Sequence, residues 1–443
     1  MLRRLVFSAF AAGTAAPSAD NSRPAGASNG RVPNDLAPCE RSVRKDAPEL
    51  VQVILVMRHG YRTPLYGFGS LESLDWQCLS PEETESIFSQ IDLYRVKPSS
   101  YIEEEKCRVG PEVLDVASFR KAVVGFGNCF SGQLTRLGHQ QMSALGQKLR
   151  RHYVDFLNFL PSEWDARQFF VRSSSIRRNV ESAFEVIRGM YPKSRENVAI
   201  HLYSPKEENI YFDNTCKTLR QLFLEFRYPG GINAEKRQWG PLFEASDFKD
   251  VSEYQSWSRL SPPALCNKLW TIFAHNLPFP QGITPESVVK ACELSGKYHG
   301  ELLSDPLVCK LGIGRLLKDI VQHLQYKIST RSIDGSEPAN GDWSPRLVLL
   351  SGHDSTLAPL LQTLKLSKGI HPTMGSVIAF ELWAQKSQPE PTYFVKVMYN
   401  FEDMIIPECN NQIMCPWNDF FELTKSKIPQ DYDLECHLPK ASV

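Results

Sequence analysis

The sequence has no net charge, and this absence narrows the range of possible partners. Fifty basic residues balance fifty acidic ones over 443 residues, so no overall field attracts nucleic acid or an anionic membrane. Beyond the first residues there is also no run of about 20 apolar residues, which a membrane-spanning helix needs. We therefore expect no nucleic-acid partner and no transmembrane segment, and any affinity for an anion must come from a local cluster of side chains.

Cysteine motifs that bind metals are also missing. None of the eleven cysteines lies in a CxxC pair or at Cys–His ligand spacing, so we expect no structural zinc site. Because eleven is an odd number, at least one thiol is free in a monomer. The closest pair, Cys409 and Cys415, brackets a polar loop. This spacing fits either a disulfide formed in an oxidising compartment or two separate structural thiols.

The first 44 residues differ from the rest of the chain. Arg3 and Arg4 precede an apolar stretch at 5–12, and the first acidic residue is Asp20. This composition is typical of either a mitochondrial presequence or a secretory signal. Residues 20–38 are rich in Ser, Pro, Gly and Asn, as a flexible spacer is. We therefore interpret 1–44 as a targeting leader and a flexible tether.

Alternating strand and helix patterns follow. The continuous apolar run at 51–57 predicts a strand that is buried on both faces, and apolar residues at helical spacing predict an amphipathic helix within 134–159. Further strands are predicted at 169–172, 346–350, 377–383 and 393–399, and further helices at 179–190, 314–326, 356–366 and 419–427. The pattern indicates an α/β fold with a mixed, mostly parallel sheet flanked by helices. Residues 45–443 form this domain, and irregular insertions at about 65–130 and 200–330 form a smaller, mainly helical cap.

Three polar segments follow three of the predicted strands. Arg58-His59-Gly60-Tyr61-Arg62 comes after the first, Arg172 closes the second, and His353-Asp354 comes after the third, at the start of a helix. Ligands of open α/β sheets bind at the carboxyl ends of the strands. Guanidinium groups can fork onto phosphate oxygens, and a helix N-terminus adds free N–H groups. The convergence predicts a phosphate site in which a histidine can attack phosphorus.

The same segments resemble a known family. The sequence RHGYRTP at 58–64 is similar to the RHGxRxP signature of the histidine acid phosphatases, and GHDST at 352–356 is similar to their His-Asp motif. LTRLGHQQ at 134–141 and VRS at 171–173 also match, and the resemblance covers about residues 50–430 in the same order. One departure is the triple serine at 173–175, where many relatives have Ser-Thr-Asp.

The resemblance implies a role for each matched residue. His59 is the nucleophile that forms a phosphohistidine, and Asp354 is the proton donor to the leaving alkoxide. Arg58, Arg62, Arg172 and His353 bind the phosphoryl oxygens. No metal or other cofactor is implied, because guanidinium groups supply the positive charge. The arginines should depress the pKa of His59. An acidic optimum is expected because Asp354 must hold its proton.

The substrate and the compartment also follow from the resemblance. Within the family, the segments between the motifs are most similar to the lysophosphatidic acid phosphatases. This implies a lysophospholipid substrate and dephosphorylation of lysophosphatidic acid to monoacylglycerol. The alternatives are small phosphomonoesters, a phosphorylated sugar, an inositol phosphate, or a relative that binds phospholipid without catalysis. The chain has no Asn-x-Ser/Thr sequon, which secreted relatives usually carry. We therefore expect a mitochondrial location, with a secretory or lysosomal one as the alternative.

Overall fold

The computed structural model describes residues 47–65, 74–96, 124–126, 129–212, 215–227, 260–331, 344–369, 371–386 and 390–437. The predicted leader and tether lie outside these residues. The strands are β1 (Glu49–Arg58), β2 (Ile91–Arg95), β3 (Val124–Phe126), β4 (Cys129–Phe130), β5 (Phe169–Ser173), β6 (Val198–Leu202), β7 (Leu347–Gly352), β8 (Val377–Gln385), β9 (Thr392–Tyr399), β10 (Glu402–Met404) and β11 (Met414–Pro416). The helices are α1 (Pro81–Phe88), α2 (Arg136–Arg150), α3 (Arg177–Met190), α4 (Lys217–Arg227), α5 (Pro262–Ala274), α6 (Pro285–Leu302), α7 (Pro306–Thr330), α8 (Asp354–Thr363), α9 (Trp417–Lys425) and α10 (Tyr432–Glu435).

A mixed sheet organises the part of the chain that the structure describes. Its strand order is β10-β9-β8-β1-β7-β5-β6-β2, with β11 beside β9. The five strands β1, β7, β5, β6 and β2 run parallel, whereas β8 to β11 pair antiparallel. The predicted α/β class is therefore confirmed. The two late strands predicted at 377–383 and 393–399 are β8 and β9, and they pair antiparallel.

Strand β1 lies in the middle of the sheet because its side chains are apolar on both faces. Nine of its ten residues are buried. Val53, Leu55 and Met57 belong to the core on one face, where α2 and α3 pack. Ile54 and Val56 belong to the core on the other face, where α7, α8 and α9 pack. A strand covered on both faces reads as a continuous apolar run, as the sequence does here.

The carboxyl ends of the parallel strands meet at one edge of the sheet. Arg58 at the end of β1 is in register with Gly352 at the end of β7, and Ser351 is in register with Ser173 of β5. The three polar segments singled out in the sequence therefore begin at the same edge. This is the edge at which ligands of open α/β sheets bind.

A third apolar core lies apart from the two that cover the sheet. It gathers buried residues of α4, α5 and α6 and of the start of α7, among them Leu222, Leu265, Leu269, Val288 and Val308. These helices lie within the predicted insertion at 200–330, and we call them the cap helices. They pack on one another through buried leucine, isoleucine and valine side chains and so have an apolar core of their own.

The predicted insertions include residues that belong to the main sheet or to a helix that covers it. Residues 91–95 form β2, which pairs with β6 at the end of the main sheet, and so belong to the sheet. Within 200–330, Ile313, Leu317 and Ile320 of α7 pack into the core beneath the sheet. The helix predicted at 314–326 is therefore confirmed, but most of α7 covers the sheet. Residues 66–73 and 97–123 lie outside the described residues.

Four disulfides are present in the described part of the chain, and three of them join residues 26, 51 and 220 apart. Cys409–Cys415 was one of the two alternatives left open by the sequence. The other three pairs are Cys78–Cys129, Cys216–Cys436 and Cys266–Cys292, while Cys309 is buried and free. Disulfides form and persist in oxidising compartments. Among the described helices, none is long and apolar enough to cross a membrane.

Candidate active site

His59 lies at the centre of the sheet edge, one residue beyond β1. Its side chain is buried, and the ring Nδ1 lies 2.8 Å from the carbonyl oxygen of Gly60. A carbonyl only accepts, so Nδ1 carries the proton and Nε2 keeps its lone pair. Burial, followed by the charge of Arg178, holds the pKa of His59 well below its usual range. The imidazole is therefore neutral and nucleophilic at acidic pH.

Gly60 allows the loop after β1 to pack closely against α2. A Cβ atom at this position would lie 2.8 Å from the carbonyl oxygen of Gly138 and 2.8 Å from the Cγ atom of Met142. The backbone N–H of Gly60 donates to Ser182 Oγ of α3 at 3.1 Å. The loop that carries His59 is thus clamped by two helices, and a larger residue at this position would displace it.

Arg58 and Arg62 place two guanidinium groups beside His59. Both are buried, and both depress the pKa of His59 by their charge. Arg62 Nη1 donates to the carbonyl oxygen of Thr63 at 2.9 Å. Arg58 Nη2 donates to Asn267 Oδ1 at 2.6 Å and lies 3.4 Å from Asp354 Oδ2. The structure therefore brings both arginines of the first motif to the nucleophile, as predicted.

His353 and Asp354 lie at the start of α8, directly after strand β7, which pairs with β1. The rings of His353 and His59 lie 5.5 Å apart between centroids, and His353 Nε2 lies 3.1 Å from Ser174 Oγ. The backbone N–H of His353 donates to Thr356 Oγ1 at 2.9 Å. Burial and then the charge of Arg178 hold the pKa of His353 well below its usual range. It can thus act as a neutral hydrogen-bond donor beside the nucleophile.

The Asp354 carboxylate is held by donors on both oxygens. Its Oδ2 accepts from Asn267 Nδ2 at 2.7 Å, and its Oδ1 accepts from the backbone N–H of Ser355 at 2.9 Å. Burial opposes the charged form, but the charges of Arg58 and His371 outweigh it and hold the pKa of Asp354 well below its usual range. Without a bound anion, Asp354 is therefore ionised.

Arg172 lies elsewhere, and the prediction that it binds phosphate was wrong. Its guanidinium donates to Asp319 Oδ2 at 2.9 Å and to Asn209 Oδ1, lies 3.7 Å from Glu208 Oε1, and stacks on the ring of Tyr203 at 3.8 Å. The physical reason is the pleat of β5. Residues two apart share a face of a strand, and Phe170 packs into the core beneath the sheet. Arg172 follows it there.

Arg178, which the sequence analysis missed, is the third arginine near His59, where Arg172 had been expected. Its charge is the largest charge effect on the pKa of both His59 and His353. Burial, countered by Asp354 and reinforced by Arg58, lowers the pKa of Arg178 to about 10. Arg178 is the second residue of α3, and this helix starts at the same sheet edge as the loop of His59. The Arg177-Arg178 pair directly before the helix predicted at 179–190 was the signal that could have identified it.

Two further polar residues reach the site from outside the motifs. Asn267 of α5 contacts both Arg58 and Asp354. His371, six residues before β8, lies 3.0 Å from Arg58 Nη1 through its Nε2. They lie 209 and 313 residues from Arg58 in sequence. No local pattern marks either one, because the tertiary fold alone brings them to the site.

The family follows from a match over most of the chain. The family model of the histidine phosphatase superfamily (branch 2) matches residues 49–400. The chain belongs to this superfamily. The match spans both the segment of Arg58 and His59 and the segment of His353 and Asp354, so the predicted family is confirmed. Histidine acid phosphatases hydrolyse phosphomonoesters, and the membership assigns this class of reaction.

Several proteins are similar to this phosphatase over nearly their whole length. Counting factor 60 of Dictyostelium discoideum is 25% identical over 419 residues, 89% of this chain and 90% of that protein. Lysophosphatidic acid phosphatase type 6 of Pongo abelii is 27% identical over 414 residues, 90% of this chain and 88% of that protein. The phytase from Citrobacter braakii superposes with a TM-score of 0.55 at 18% identity, covering 88% of this chain and 100% of that one. At this identity, the similarity to the phytase is evidence for the fold only.

Substitutions can distinguish the role of Arg172 in β5 from the role of Arg178 in α3. We expect Arg178→Met to lower kcat/KM of the phosphatase on p-nitrophenyl phosphate by about 10²–10³-fold, the usual cost of losing one such donor to the transition state. We expect Arg172→Met to leave Asp319 and Glu208 buried without their cation, which costs about 3–5 kcal/mol of unfolding free energy.

Steady-state kinetics and urea unfolding of both variants measure these effects. The reverse pattern, in which Arg172→Met removes activity from a stable protein and Arg178→Met only destabilises, would restore Arg172 to the phosphate site.

Proposed function

We propose that this protein hydrolyses phosphomonoesters through a phosphohistidine on His59. The observation that carries the proposal is a buried imidazole, neutral with its lone pair on Nε2, among the guanidinium groups of Arg58, Arg62 and Arg178. The guanidinium groups attract the phosphoryl oxygens and stabilise the charge that develops on them. The neutral Nε2 is the atom that attacks.

Two displacements complete the proposed reaction. In the first, a bond forms between His59 Nε2 and phosphorus, the bond to the leaving oxygen breaks, and Asp354 gives that oxygen its proton. In the second, water attacks phosphorus, its proton goes to the Asp354 carboxylate, and the bond to Nε2 breaks. The products are an alcohol and inorganic phosphate. Asp354 is again protonated after the second step, and it gives up this proton to solvent when the phosphate leaves.

The protonation of Asp354 makes this mechanism depend on the bound substrate. In the free protein, Arg58 and His371 favour the carboxylate and keep the pKa of Asp354 low. A bound phosphoryl group brings negative charge that offsets the guanidinium groups and raises this pKa. We propose that Asp354 becomes a proton donor only after the substrate has bound. An acidic optimum follows, because proton uptake by Asp354 becomes easier as the pH falls.

We propose lysophosphatidic acid as the substrate, with monoacylglycerol as the product. The similarity to lysophosphatidic acid phosphatase type 6 over 90% of the chain supports this. Apolar side chains beside the site support it too. Trp270 lies one turn after Asn267 on α5 and is half-buried beside Tyr61, and Leu65, three residues after Arg62, is 41% exposed. An acyl chain needs such a surface next to its phosphate.

A chain-length series tests the lipid substrate. Each buried methylene adds up to about 0.8 kcal/mol of binding, so kcat/KM should climb by up to about fourfold per methylene until the apolar surface is covered. We would measure it for lysophosphatidic acids below their critical micelle concentrations, beside glycerol 3-phosphate and an inositol phosphate. A flat series or a preference for the inositol phosphate would exclude the lipid substrate and leave the phosphohistidine mechanism standing.

A pair of surface variants sharpens this series. Leu65→Ser removes apolar surface three residues from Arg62 and should reduce the slope of kcat/KM against chain length. Phe156→Ser is the matched control, because Phe156 is 61% exposed and follows the far end of α2, whose first turn packs against the His59 loop. A 15-residue helix spans about 22 Å, so this control should leave the slope unchanged.

A further inference from the structure

A single amide from the cap joins two groups of the active site. The Asn267 side chain reaches from α5 to the edge of the sheet. Its Oδ1 accepts from Arg58 Nη2 at 2.6 Å, and its Nδ2 donates to Asp354 Oδ2 at 2.7 Å. Among the described contacts of the active-site carboxylate, this hydrogen bond is the shortest. One amide thus holds both a phosphate-binding residue and the proposed proton donor.

The chemistry of the three groups fixes the direction of these hydrogen bonds. A guanidinium group only donates, so the amide oxygen must face Arg58. The amide nitrogen then faces Asp354 and can only donate to it. Because the Ser355 N–H occupies the other carboxylate oxygen, both oxygens of Asp354 accept in the free protein. The amide therefore stabilises the ionised form of Asp354.

The Arg58 guanidinium is held in place from its other side. Its Nη1 donates to the carbonyl oxygen of Pro372 and lies 3.0 Å from His371 Nε2. The His371 ring is fixed in turn, since its Nδ1 lies 2.9 Å from Ser295 Oγ and the ring stacks on His299 of α6 at 5.5 Å. The Arg58 side chain is thus held in one position, and the hydrogen bonds of Asn267 fix the position of Asp354 relative to it.

A covalent link holds the two cap helices that make these contacts. The disulfide Cys266–Cys292 joins α5 and α6. Cys266 directly precedes Asn267 in α5. Cys292 lies one turn before Ser295 in α6. The disulfide therefore holds α5, which contacts Asp354, against α6, which contacts His371, close to the active site.

We propose that Asn267 is a positioning residue that aligns the Asp354 carboxyl group with Arg58 for protonation of the leaving oxygen. This inference rests on the proposed function, in which Asp354 is the proton donor. When a phosphoryl group binds beside Arg58, the hydrogen bonds of Asn267 to Arg58 and Asp354 keep the carboxyl group at the leaving oxygen. The cap thereby contributes to leaving-group protonation as well as to substrate binding.

Among the described residues, the charged or titratable groups that face Asp354 come from different elements. They are Arg58 of β1, Arg178 of α3, His299 of α6, His371 before β8 and the adjacent His353. The charges of Arg58, His371 and His299 lower the pKa of Asp354, and so does the Asn267 hydrogen bond. Removing the Asn267 N–H alone must therefore raise this pKa, since a hydrogen bond to the charged form favours that form.

Two variants of Asn267 test the proposal. Asn267→Leu removes both hydrogen bonds, whereas Asn267→Asp keeps an acceptor for Arg58, loses the donor to Asp354 and adds a like charge. We expect kcat on glycerol 3-phosphate to fall by about 10–100-fold in Asn267→Leu, and kcat on p-nitrophenyl phosphate by less than about threefold. An aryl oxide leaves without a proton, and general acid catalysis is worth about 10²–10⁴-fold.

The pH dependence of turnover distinguishes a positioning role of Asn267 from a purely structural one, because a purely structural residue would not change the pKa of Asp354. The alkaline limb of kcat reports the acid of the enzyme–substrate complex, the form in which Asp354 holds its proton. We expect it to shift to higher pH in Asn267→Leu and further in Asn267→Asp, because the pKa of Asp354 rises in that order. Asn197→Leu is the matched control. Asn197 Nδ2 also donates to an aspartate, Asp92, at 2.9 Å, but on the exposed surface, and its loss should leave both readouts unchanged.

The outcomes separate this proposal from the proposed function. If the wild-type protein shows no His59-dependent turnover, the proposed function fails. If wild type is active and Asp354→Asn slows alkyl phosphates far more than p-nitrophenyl phosphate, the proposed function stands. In that case, equal slowing of both substrates by the Asn267 variants, with an unmoved alkaline limb, would overturn the positioning role. Asn267→Asp has the shape of asparagine and a half-buried site, so a folded variant is available for the comparison.

Discussion

Replacing His59 by alanine is expected to lower kcat by at least about 10⁴-fold on every phosphomonoester. No neighbouring group can take over as nucleophile, because Arg58 and Arg62 carry no lone pair at acidic pH and His353 is directed at Ser174. Removal of a covalent nucleophile typically costs about 10⁶-fold. The measurement is kcat on p-nitrophenyl phosphate for the purified variant, with its thermal midpoint recorded to show that it is folded.

A control histidine makes the loss specific. His437→Ala changes an exposed ring whose Nδ1 contacts the carbonyl oxygen of Asp433, and it should retain wild-type kcat. If His59→Ala kept more than a few per cent of activity in a preparation free of contaminating phosphatase, His59 would be a binding residue and another nucleophile would have to be sought.

The second large effect is expected from Asp354→Asn, and it depends on the leaving group. The amide keeps the shape of the carboxyl group but cannot give up a proton. We expect kcat on glycerol 3-phosphate to fall by about 10²–10⁴-fold, the usual value of general acid catalysis. We expect a much smaller fall on p-nitrophenyl phosphate, whose leaving group is a stable anion. A Brønsted series of aryl and alkyl phosphates measures the difference as a slope.

The outcome of that series decides the role of Asp354. A steeper dependence on leaving-group pKa in the variant than in wild type supports the proton donor. If both classes of substrate slowed equally, Asp354 would act by holding Arg58, which it meets at 3.4 Å, and the leaving oxygen would have to take its proton from another group.

The central strands were predictable because burial on both faces leaves a plain signal. Strand β1 reads as one apolar run, and so do β7, which pairs with it, and β5, which lies beyond β7. Strand β2 was missed because it lies at the end of the sheet, where four of its five residues are only partly buried, so its sequence is not distinctly apolar. Strand β6 is five residues long and ends in the region that was read as a cap insertion.

Arg172 and Arg178 show that a motif alone does not locate a side chain. The pleat of the strand decides on which face of the sheet the side chain lies. Arg172 closes a strand at the correct sheet edge, but its position along the strand places it on the face of Phe170, in the core. Arg178 lies beyond the strand, at the start of α3, where the helix N-terminus points to the site. Period-two alternation along β5 was the available signal, and it would have excluded Arg172.

Asn267 and His371 could not have been predicted from the sequence. Each is an isolated polar residue with no motif around it, and each meets Arg58 across more than 200 residues of chain. Their contact depends on how the helices of the cap pack on the sheet. Three of the four disulfides escaped prediction for the same reason, since their cysteines lie 26, 51 and 220 residues apart.

The most direct test of the mechanism is to trap the phosphoenzyme. The protein would be mixed with a substrate labelled with ³²P at phosphorus and quenched within milliseconds, and the labelled peptide identified after digestion. A phosphohistidine is labile in acid and stable in base, so we expect label of this kind in the peptide that contains His59, and none in His59→Ala. Base-labile label on serine or aspartate, or turnover with no trapped label under burst conditions, would contradict nucleophilic attack by His59.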